Sequence, residues 1–502
     1  MSTESDISKF YAGQKILITG VSGFIGKVLL WKLLHSCPNV DTIYILIRAK
    51  KGQNINSRAE KIFKYPIYNN FRNENPKIFE KVSVIAGDIS AEDLDLSEKD
   101  RQKLIDGVTV VFHIAAALNM DADLKSAVNT NCTGTLRLLK LCTEMKHLKA
   151  FLHTSTTYCY CDKDKTREAV FPPMEDPYDI MHLVTWVYSD LAGTITPSLI
   201  KPHPNTYTYT KRLAEKVVSD FFPQLPIAIV RPSIVIPSIK EPLPGWVDSL
   251  NGPVGLLIAG GKGVMRSMLC DGDTKADVVA VDVVANSLIA VGWKIANEPK
   301  PSSLPVYNAS SSEMKPLYWK DVVDMGKEAI EKYPFEKVLW YPTGGITSNE
   351  TIHVIISFIF QWIPAYFIDF IMTLIGQPRF LVNVQKKIYQ GQKVLQYFTT
   401  REWHFDTENM VNLKESMNST DQEIFPVTMK DFKDRTAYMD NAIKVARHYI
   451  LKEDPASIPQ CQKKMRILYI LDCFTRYVAV LLLFWIVVQI IAKLAVYYEF
   501  EA

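Results

Sequence analysis

The chain has 502 residues, a formal net charge of +3 and 48% hydrophobic residues. That length allows two or three domains with ample core, the near-balanced charge excludes a polyanion partner such as nucleic acid, and the hydrophobic share points toward membrane contact. Eight cysteines without framework spacing, Cys159 and Cys161 among them, predict free thiols in a reducing compartment, and nine histidines without a ligand cluster predict no metal.

Met1 to Tyr11 is polar and acidic, unlike a signal peptide. Lys15 to Thr19 is a short apolar run suited to one buried strand. Gly20, Gly23 and Gly26 follow with the spacing G-x-x-G-x-x-G, and Leu29, Leu30, Leu33 and Leu34 recur at helical spacing. Strand, glycine turn and helix in that order predict a phosphate cradle: no Cβ blocks the turn, and the helix aims its free N–H groups at the anion. The wording Thr19-Gly20-x-x-Gly23-Phe24-x-Gly26 resembles the extended short-chain dehydrogenase/reductase family. The resemblance implies that Thr19, Gly20, Ser22, Gly23, Phe24, Ile25 and Gly26 wrap the pyrophosphate of a nicotinamide dinucleotide.

Asp41 to Arg48 reads as the second strand. An acidic residue commonly ends this strand and holds the ribose 2′-hydroxyl; here Arg48 stands there, followed by Lys50, Lys51 and Arg58, and cations suit a 2′-phosphate. The expected cofactor is therefore NADPH. Further apolar runs recur at βαβ intervals: Val82 to Ala86, Val108 to Leu118 and Lys149 to Thr156. Asp88 and Ile89 follow the first of these, where the family places an Asp near the adenine. Ala115 lies in a run of small residues over which a cofactor could pass closely. Asn131 matches a family asparagine that supports the active-site helix, and His113, inside an apolar strand, reads as a core histidine.

The expected chemistry lies between Ser155 and Lys211. Tyr207 and Lys211 are four residues apart in a helical stretch and share one face. Reduction of a carbonyl needs a proton donor at the oxygen that gains negative charge. A neighbouring ammonium should lower the Tyr207 phenol from its ordinary value near 10. A strand-end hydroxyl, Thr156 or its rival Ser155, would hold the carbonyl oxygen. The same Y-x-x-x-K spacing occurs at Tyr11/Lys15, Tyr333/Lys337 and Tyr389/Lys393, but only Tyr207/Lys211 falls between the fifth strand and the sixth, Pro226 to Ile236.

Glu241 to Gly255, Ala276 to Asn286 and Ile47 to Gly52 resemble eukaryotic alcohol-forming fatty acyl-CoA reductases, as do Trp362 to Asp369 and Arg401 to Asn409. Asp277 and Asp282 read as braces of the substrate side. Thr154 stands where that family usually has an apolar residue. Thr351 to Ile368 is apolar, contains Pro364 and is followed by Asp369; a buried or interfacial helix fits better than a span. Tyr477 to Ala492 is uncharged and, with Lys493 snorkelling, reaches spanning length by Tyr498. Lys463, Lys464, Arg466 and Arg476 precede it, which orients the bulk of the chain to the cytosol.

The expected fold is α/β: a Rossmann-type doubly wound parallel sheet with a substrate subdomain (1–310), a helical C-terminal domain (311–460) and a C-terminal transmembrane helix (461–502). The resemblance implies NADPH-dependent reduction of long-chain fatty acyl-CoA to the alcohol, via an aldehyde. Membrane lipid is an expected partner, and a homo-oligomer stays open. The expected site is the endoplasmic reticulum or a lipid droplet rather than the peroxisome; Glu-Phe-Glu-Ala is neither a peroxisomal nor an endoplasmic-reticulum retention signal. A membrane-bound hydroxysteroid dehydrogenase and a non-catalytic lipid-surface protein are the rival readings.

Overall fold

The computed structural model describes residues 4–49, 55–120, 122–250, 252–430 and 432–501, with side chains as far as 492 apart from 479, 483 and 486. Lys50, Lys51 and the Lys493 side chain lie outside the described residues. The chain divides into two units, neither contiguous in sequence. One comprises Met1–Asp248, Thr274–Tyr318 and Arg401–Tyr438; the other comprises Ser249–Asp273, Trp319–Thr400 and Met439–Ala502.

The first unit is built on a seven-stranded sheet. Its strands are β1 (Lys15–Thr19), β2 (Thr42–Ile47), β3 (Val82–Ala86), β4 (Val110–His113), β5 (Ala150–Thr154), β6 (Ile227–Pro232) and β7 (Val306–Ala309), in the order β7-β6-β5-β4-β1-β2-β3. Every neighbouring pair is parallel. The inner strands are buried throughout, which is why they read as unbroken apolar runs rather than alternating ones. The chain reverses its direction of travel between β1 and β4, and at such a switch point a crevice opens at the carboxyl ends of the strands.

Helix α1 (Phe24–Ser36) follows β1, α2 (Gly134–Glu144) precedes β5, α3 (Thr206–Phe221) precedes β6, and α4 (Val281–Asn297) packs on α1. Leu138, Leu139 and Cys142 of α2 share a core with Leu213, Val217 and Val218 of α3 and with Val111, Phe151 and Ile229 of the sheet. Burying each such side chain contributes roughly 1.5–3 kcal/mol. Helix α1 also buries Lys27 and Lys32, which pair with Asp248 at 2.7 Å and Glu241 at 2.5 Å.

Two strands end four or more residues before their expected ends. The fourth stops at His113, where the small residues leave the sheet and the Ala115 N–H turns to the Thr19 hydroxyl. The sixth breaks at Pro232, whose ring nitrogen cannot donate to a ladder. Ile234–Ile236 then pairs with Val278–Ala280 in a separate small sheet. Asp282 closes that corner by accepting the backbone N–H groups of Ile239, Lys240 and Glu241.

The second unit is helical. Glu350–Ser357 (α5), a π-helical turn at Phe358–Trp362, and Ile363–Leu374 (α6) form one continuous run; α7 (Leu381–Thr399) and α8 (Ile458–Glu501) follow. Its core holds Ile258, Ile330, Phe335, Ile443 and Met465. The 44 residues of α8 extend about 66 Å, twice the thickness of a bilayer's hydrocarbon. Cys461, Met465 and Asp472 are buried in the unit, and beyond Asp472 every described side chain of the helix is exposed.

Candidate active site

The glycine turn after β1 has the shape the spacing requires. Gly20 has φ +77°, and a Cβ there would lie 2.6 Å from the Ala115 nitrogen. A Cβ on Gly26 would lie 2.4 Å from the Gly20 carbonyl oxygen. Only glycine allows these two approaches. Gly23 is the N-cap of α1 and supplies no capping side chain, so the first-turn N–H groups remain available to an anion. Ser22 and Gly23 are exposed, Phe24 and Ile25 half-buried. This cradle fits a dinucleotide pyrophosphate.

Behind the loop runs a hydrogen-bond chain of fixed polarity. The Ala115 N–H donates to Thr19 Oγ1 at 3.3 Å, and Thr19 Oγ1 lies 2.8 Å from His113 Nδ1. His113 Nε2 lies 2.9 Å from Thr135 Oγ1, whose own O–H donates to the Asn131 carbonyl at 2.7 Å. With the Thr135 proton committed, His113 Nε2 must be the donor and Nδ1 the acceptor from Thr19. Burial, reinforced by the Lys211 charge, holds the His113 imidazole down at about 3, so it is neutral and structural.

Asn131 ties this chain to α3. Its Oδ1 accepts the Ala117 N–H at 2.8 Å, and its Nδ2 donates to Thr210 Oγ1 at 2.9 Å. The residue sits in a π-helical turn, Asn129–Thr133, which turns the amide toward its partners. Ile89 is buried on the same side, its carbonyl 2.9 Å from where a Cβ on Gly134 would sit.

Helix α3 begins under the cap of Asn205, whose side chain accepts the Thr208 N–H at 2.9 Å. It carries Tyr207 half-buried and Lys211 fully buried. The Lys211 ammonium donates to the Thr154 carbonyl at 2.7 Å, pinning the helix to the end of β5. Burial lowers the Lys211 ammonium to about 8, although Glu215 pulls the other way. Burial also raises the Tyr207 phenol above its ordinary value, with Cys159 adding to it. The lowering expected from Lys211 is not found: desolvation of the phenolate sets the direction of the shift.

The two strand-end hydroxyls differ. Ser155 hydrogen-bonds Glu215, which helps hold that carboxyl ionised, and its Oγ lies 3.8 Å from Cys159 Sγ. Thr156 Oγ1 accepts the Tyr158 N–H at 3.3 Å and keeps its own proton to donate. Tyr158 is wedged edge-on against Trp403 and Phe405, with ring centroids 5.3 and 5.4 Å away.

Beneath α3 lies a buried ion pair that belongs to none of the sequence motifs. Arg231 of β6 donates from Nε and Nη2 to Glu215 of α3 at 2.7 and 2.5 Å. Tyr160 Oη and Cys159 Sγ also donate to that carboxylate, at 2.9 and 3.3 Å. Burial alone would raise the Glu215 carboxyl, but Arg231 together with the hydrogen bonds from Ser155 and Tyr160 outweighs it and holds the group below the usual range. The signal was present: Glu215 is one further i+4 step beyond Lys211, and an arginine inside a wholly apolar strand needs a carboxylate partner.

At the end of β2, Arg48 is exposed and lies 3.7 Å from Asp88; the Arg58 guanidinium donates to the Arg48 carbonyl. Asp88 also accepts from the Ser90 N–H and hydroxyl. The other Y-x-x-x-K pairs are elsewhere. Tyr389 and Lys393 are exposed on α7 of the second unit, and Tyr11 is buried with its hydroxyl on the Ile289 carbonyl.

Sheet order and glycine cradle together define a nicotinamide-dinucleotide-binding fold of the extended short-chain dehydrogenase/reductase type. Residues 18–288 match an NAD-binding family described as male sterility protein, and residues 360–453 match its Sterile region, described in the same words. Fatty acyl-CoA reductase 1 of Rattus norvegicus is 36% identical over 91% of this chain and 89% of its own length. A putative fatty acyl-CoA reductase of Drosophila melanogaster is 35% identical over 96% and 93%. The chain belongs to the fatty acyl-CoA reductase family and is an oxidoreductase. Among solved structures, the terminal R domain from the myxalamid biosynthetic pathway shares the fold, with TM-score 0.56 and 19% identity over 88% of this chain and 92% of that one. The R domain of a Mycobacterium tuberculosis nonribosomal peptide synthetase does so with TM-score 0.53 and 17% identity over 88% and 95%.

Proposed function

We propose that the protein reduces long-chain fatty acyl-CoA to the primary alcohol with NADPH, releasing CoA and passing through a bound aldehyde. What carries this reading is the 2.7 Å bond from Lys211 to the Thr154 carbonyl, which sets the Tyr207 helix against the strand end that bears Thr156, in a chain of this family. When bound, NADPH would supply a hydride to the carbonyl carbon in each of two rounds. In the first, the Thr156 hydroxyl holds the thioester oxygen and Tyr207 delivers a proton to it, giving a hemithioacetal. Its C–S bond breaks as the hydroxyl proton returns to the Tyr207 phenolate, and the CoA thiolate takes a proton from water and departs as the thiol. In the second, the same two hydroxyls serve the aldehyde oxygen and the alcohol results. Lys211 supplies the positive charge that stabilises developing phenolate. Ser155, tied to Glu215, is the less available hydroxyl.

Arg48 and Arg58 would face the 2′-phosphate, with Lys50 as a third cation in sequence. Asp88, Ile89 and Ala115 would border the adenosine and nicotinamide sides. Residues 1–310, 311–460 and 461–502 would act as reductase, helical and anchoring segments. The uncharged run of α8 would cross an endoplasmic-reticulum or lipid-droplet membrane region with the reductase on the cytosolic side.

The test is to incubate the membrane protein with NADPH and a panel of acyl-CoAs and identify products by mass spectrometry. Primary alcohol plus free CoA, two NADPH consumed per alcohol, is the expected result. Accumulation of free aldehyde alone, or preference for a sterol with NAD, would overturn it. A glycosylation acceptor appended after Ala502 should be modified if α8 spans; an unmodified acceptor rejects the span.

A further inference from the structure

The run from Glu350 to Leu374 has its amphipathicity turned outward. Ser357, Gln361, Ala365 and Asp369 are its buried positions, spaced four apart, and three of the four are polar. They are held by the second unit itself. Gln361 Oε1 accepts the Arg266 N–H at 2.6 Å, and Asp369 accepts the N–H groups of Phe380, Leu381 and Val382 at 2.9–3.1 Å. One end is tied as well, by His353 Nδ1 at 2.9 Å from the Ser267 hydroxyl. The opposite face is apolar and open: Phe358 is 60% exposed, Phe367 62%, Phe370 60% and Leu374 70%.

Length does not decide what covers this face, because 25 residues extend about 37 Å, enough to cross. The polar stripe decides. Protein accompanies the helix from His353 to Asp369, so a crossing would drag Arg266 and the strand Ser267–Leu269 into hydrocarbon. A helix with one face on protein and the other on rings and aliphatic chains lies along a lipid surface.

The same residue locates that surface. Arg266, whose N–H meets Gln361, reaches Asp472 of α8 through Nη2 at 3.3 Å. Asp472 also accepts from Trp340 Nε1 at 2.5 Å and from Arg476 Nε at 2.8 Å. Arg476 immediately precedes the uncharged run that starts at Tyr477, so it marks the headgroup level. Arg379, Lys386 and Lys387, exposed and next in sequence after the apolar helix, suit phospholipid phosphates. We infer that the outward face of residues 350–375 is a monotopic docking surface for a phospholipid leaflet, lying in the headgroup–acyl boundary of the leaflet that α8 enters. This extends the membrane reading above without requiring α8 to span.

The test uses the full chain in liposomes of phosphatidylcholine and phosphatidylserine. The exposed Cys473 is replaced, Cys473→Ser, since the other seven cysteines are buried. Single cysteines then carry an environment-sensitive dye at Phe358→Cys, Phe367→Cys and Leu374→Cys, with Trp485→Cys in α8 as the reference, and depth is read with lipid-borne quenchers. The expected result is shallow and equal quenching at the three positions, all from one leaflet, and deep quenching at Trp485→Cys. Depth that passes through a maximum along the run, with its ends in opposite leaflets, would show a span and overturn the inference. Aqueous emission at the three positions with deep quenching at Trp485→Cys would overturn it and leave the anchor standing. Aqueous emission at all four would overturn both. Quenching that is replaced by crosslinks between two copies would assign the face to self-association and overturn it too. Phe367→Asp/Phe370→Asp should return the dye at Phe358→Cys to aqueous emission while NADPH binding is unchanged; continued shallow quenching in that variant would show that these rings do not make the contact.

Discussion

Helix α3 and the run from Glu350 to Leu374 bury polar side chains at the same spacing, and the two put them to different use. In α3, Tyr207, Lys211 and Glu215 succeed one another by four, and the helix's other face packs Leu213, Val217 and Val218 into the sheet core. In the second run, Ser357, Gln361 and Asp369 face the protein while Phe358, Phe367 and Phe370 face outward. A buried polar stripe therefore does not identify a reaction centre. Its partners do: an ion pair, a strand-end carbonyl and two hydroxyls in one case, backbone N–H groups in the other.

Substitutions in each of the two helices test this contrast. The largest effect is expected at Tyr207→Phe, which removes the proton donor and keeps the ring. Alcohol formation should fall by roughly 10²–10⁴-fold with the melting temperature preserved, whereas Tyr389→Phe, at the same spacing on α7, should keep full activity. Activity assays on both purified variants decide it, and the reverse outcome would move the site.

Next comes Glu215→Gln, which leaves the Arg231 guanidinium buried without its counter-charge. It should cost roughly 3–5 kcal/mol of stability in urea denaturation. Gln361→Ala, which frees only one backbone N–H in the other stripe, should cost about 1–3 kcal/mol. Equal losses would mean that the ion pair is no more important than a helix-to-loop hydrogen bond.

Arg48→Asp reverses the charge expected to meet the 2′-phosphate. Each unit-charge pair at 4 Å in water is worth about 1 kcal/mol, so the reversal shifts binding by about 2 kcal/mol, more than tenfold. The loss should appear in KM for NADPH and spare NADH; equal loss with both cofactors would remove Arg48 from phosphate recognition.

The remaining contrast is a pH dependence with opposite signs for activity and stability. The Lys211 ammonium, held at about 8, is charged below that pH and neutral above it. Alcohol formation should decline as pH rises through about 8. The unfolded lysine keeps its ordinary value of 10.5, so between about 8 and 10.5 the unfolded chain holds the extra proton. This group's contribution to stability therefore rises with pH across that window and is lost as pH falls through about 8. In Lys211→Met that increment should vanish, which denaturation on either side of the window would show; a variant with the same pH dependence as the parent would refute the burial of a charged Lys211.

Elements whose cause is local were legible in the order of the amino acids. A strand, a glycine-spaced turn and a helix opening on an uncapped glycine are set by neighbours within a few residues, so the cradle at Gly20, Gly23 and Gly26 was legible at once, although the crowding of Gly20 comes from Ala115, far along the chain. So was the shared face of Tyr207 and Lys211, which is a property of helical spacing alone. Tertiary structure decided what depends on partners far along the chain. Glu215 meets Arg231 only because α3 packs across β6. The segment from Arg401 to Asn409, distant in sequence, returns to the first unit, pairs His404–Phe405 with Lys165–Thr166 and seats two rings on Tyr158. The direction of the Tyr207 shift was also out of reach of the sequence. Spacing gives the charge that lowers it, but desolvation depends on how much of the fold surrounds the phenol, and only the packed structure supplies that.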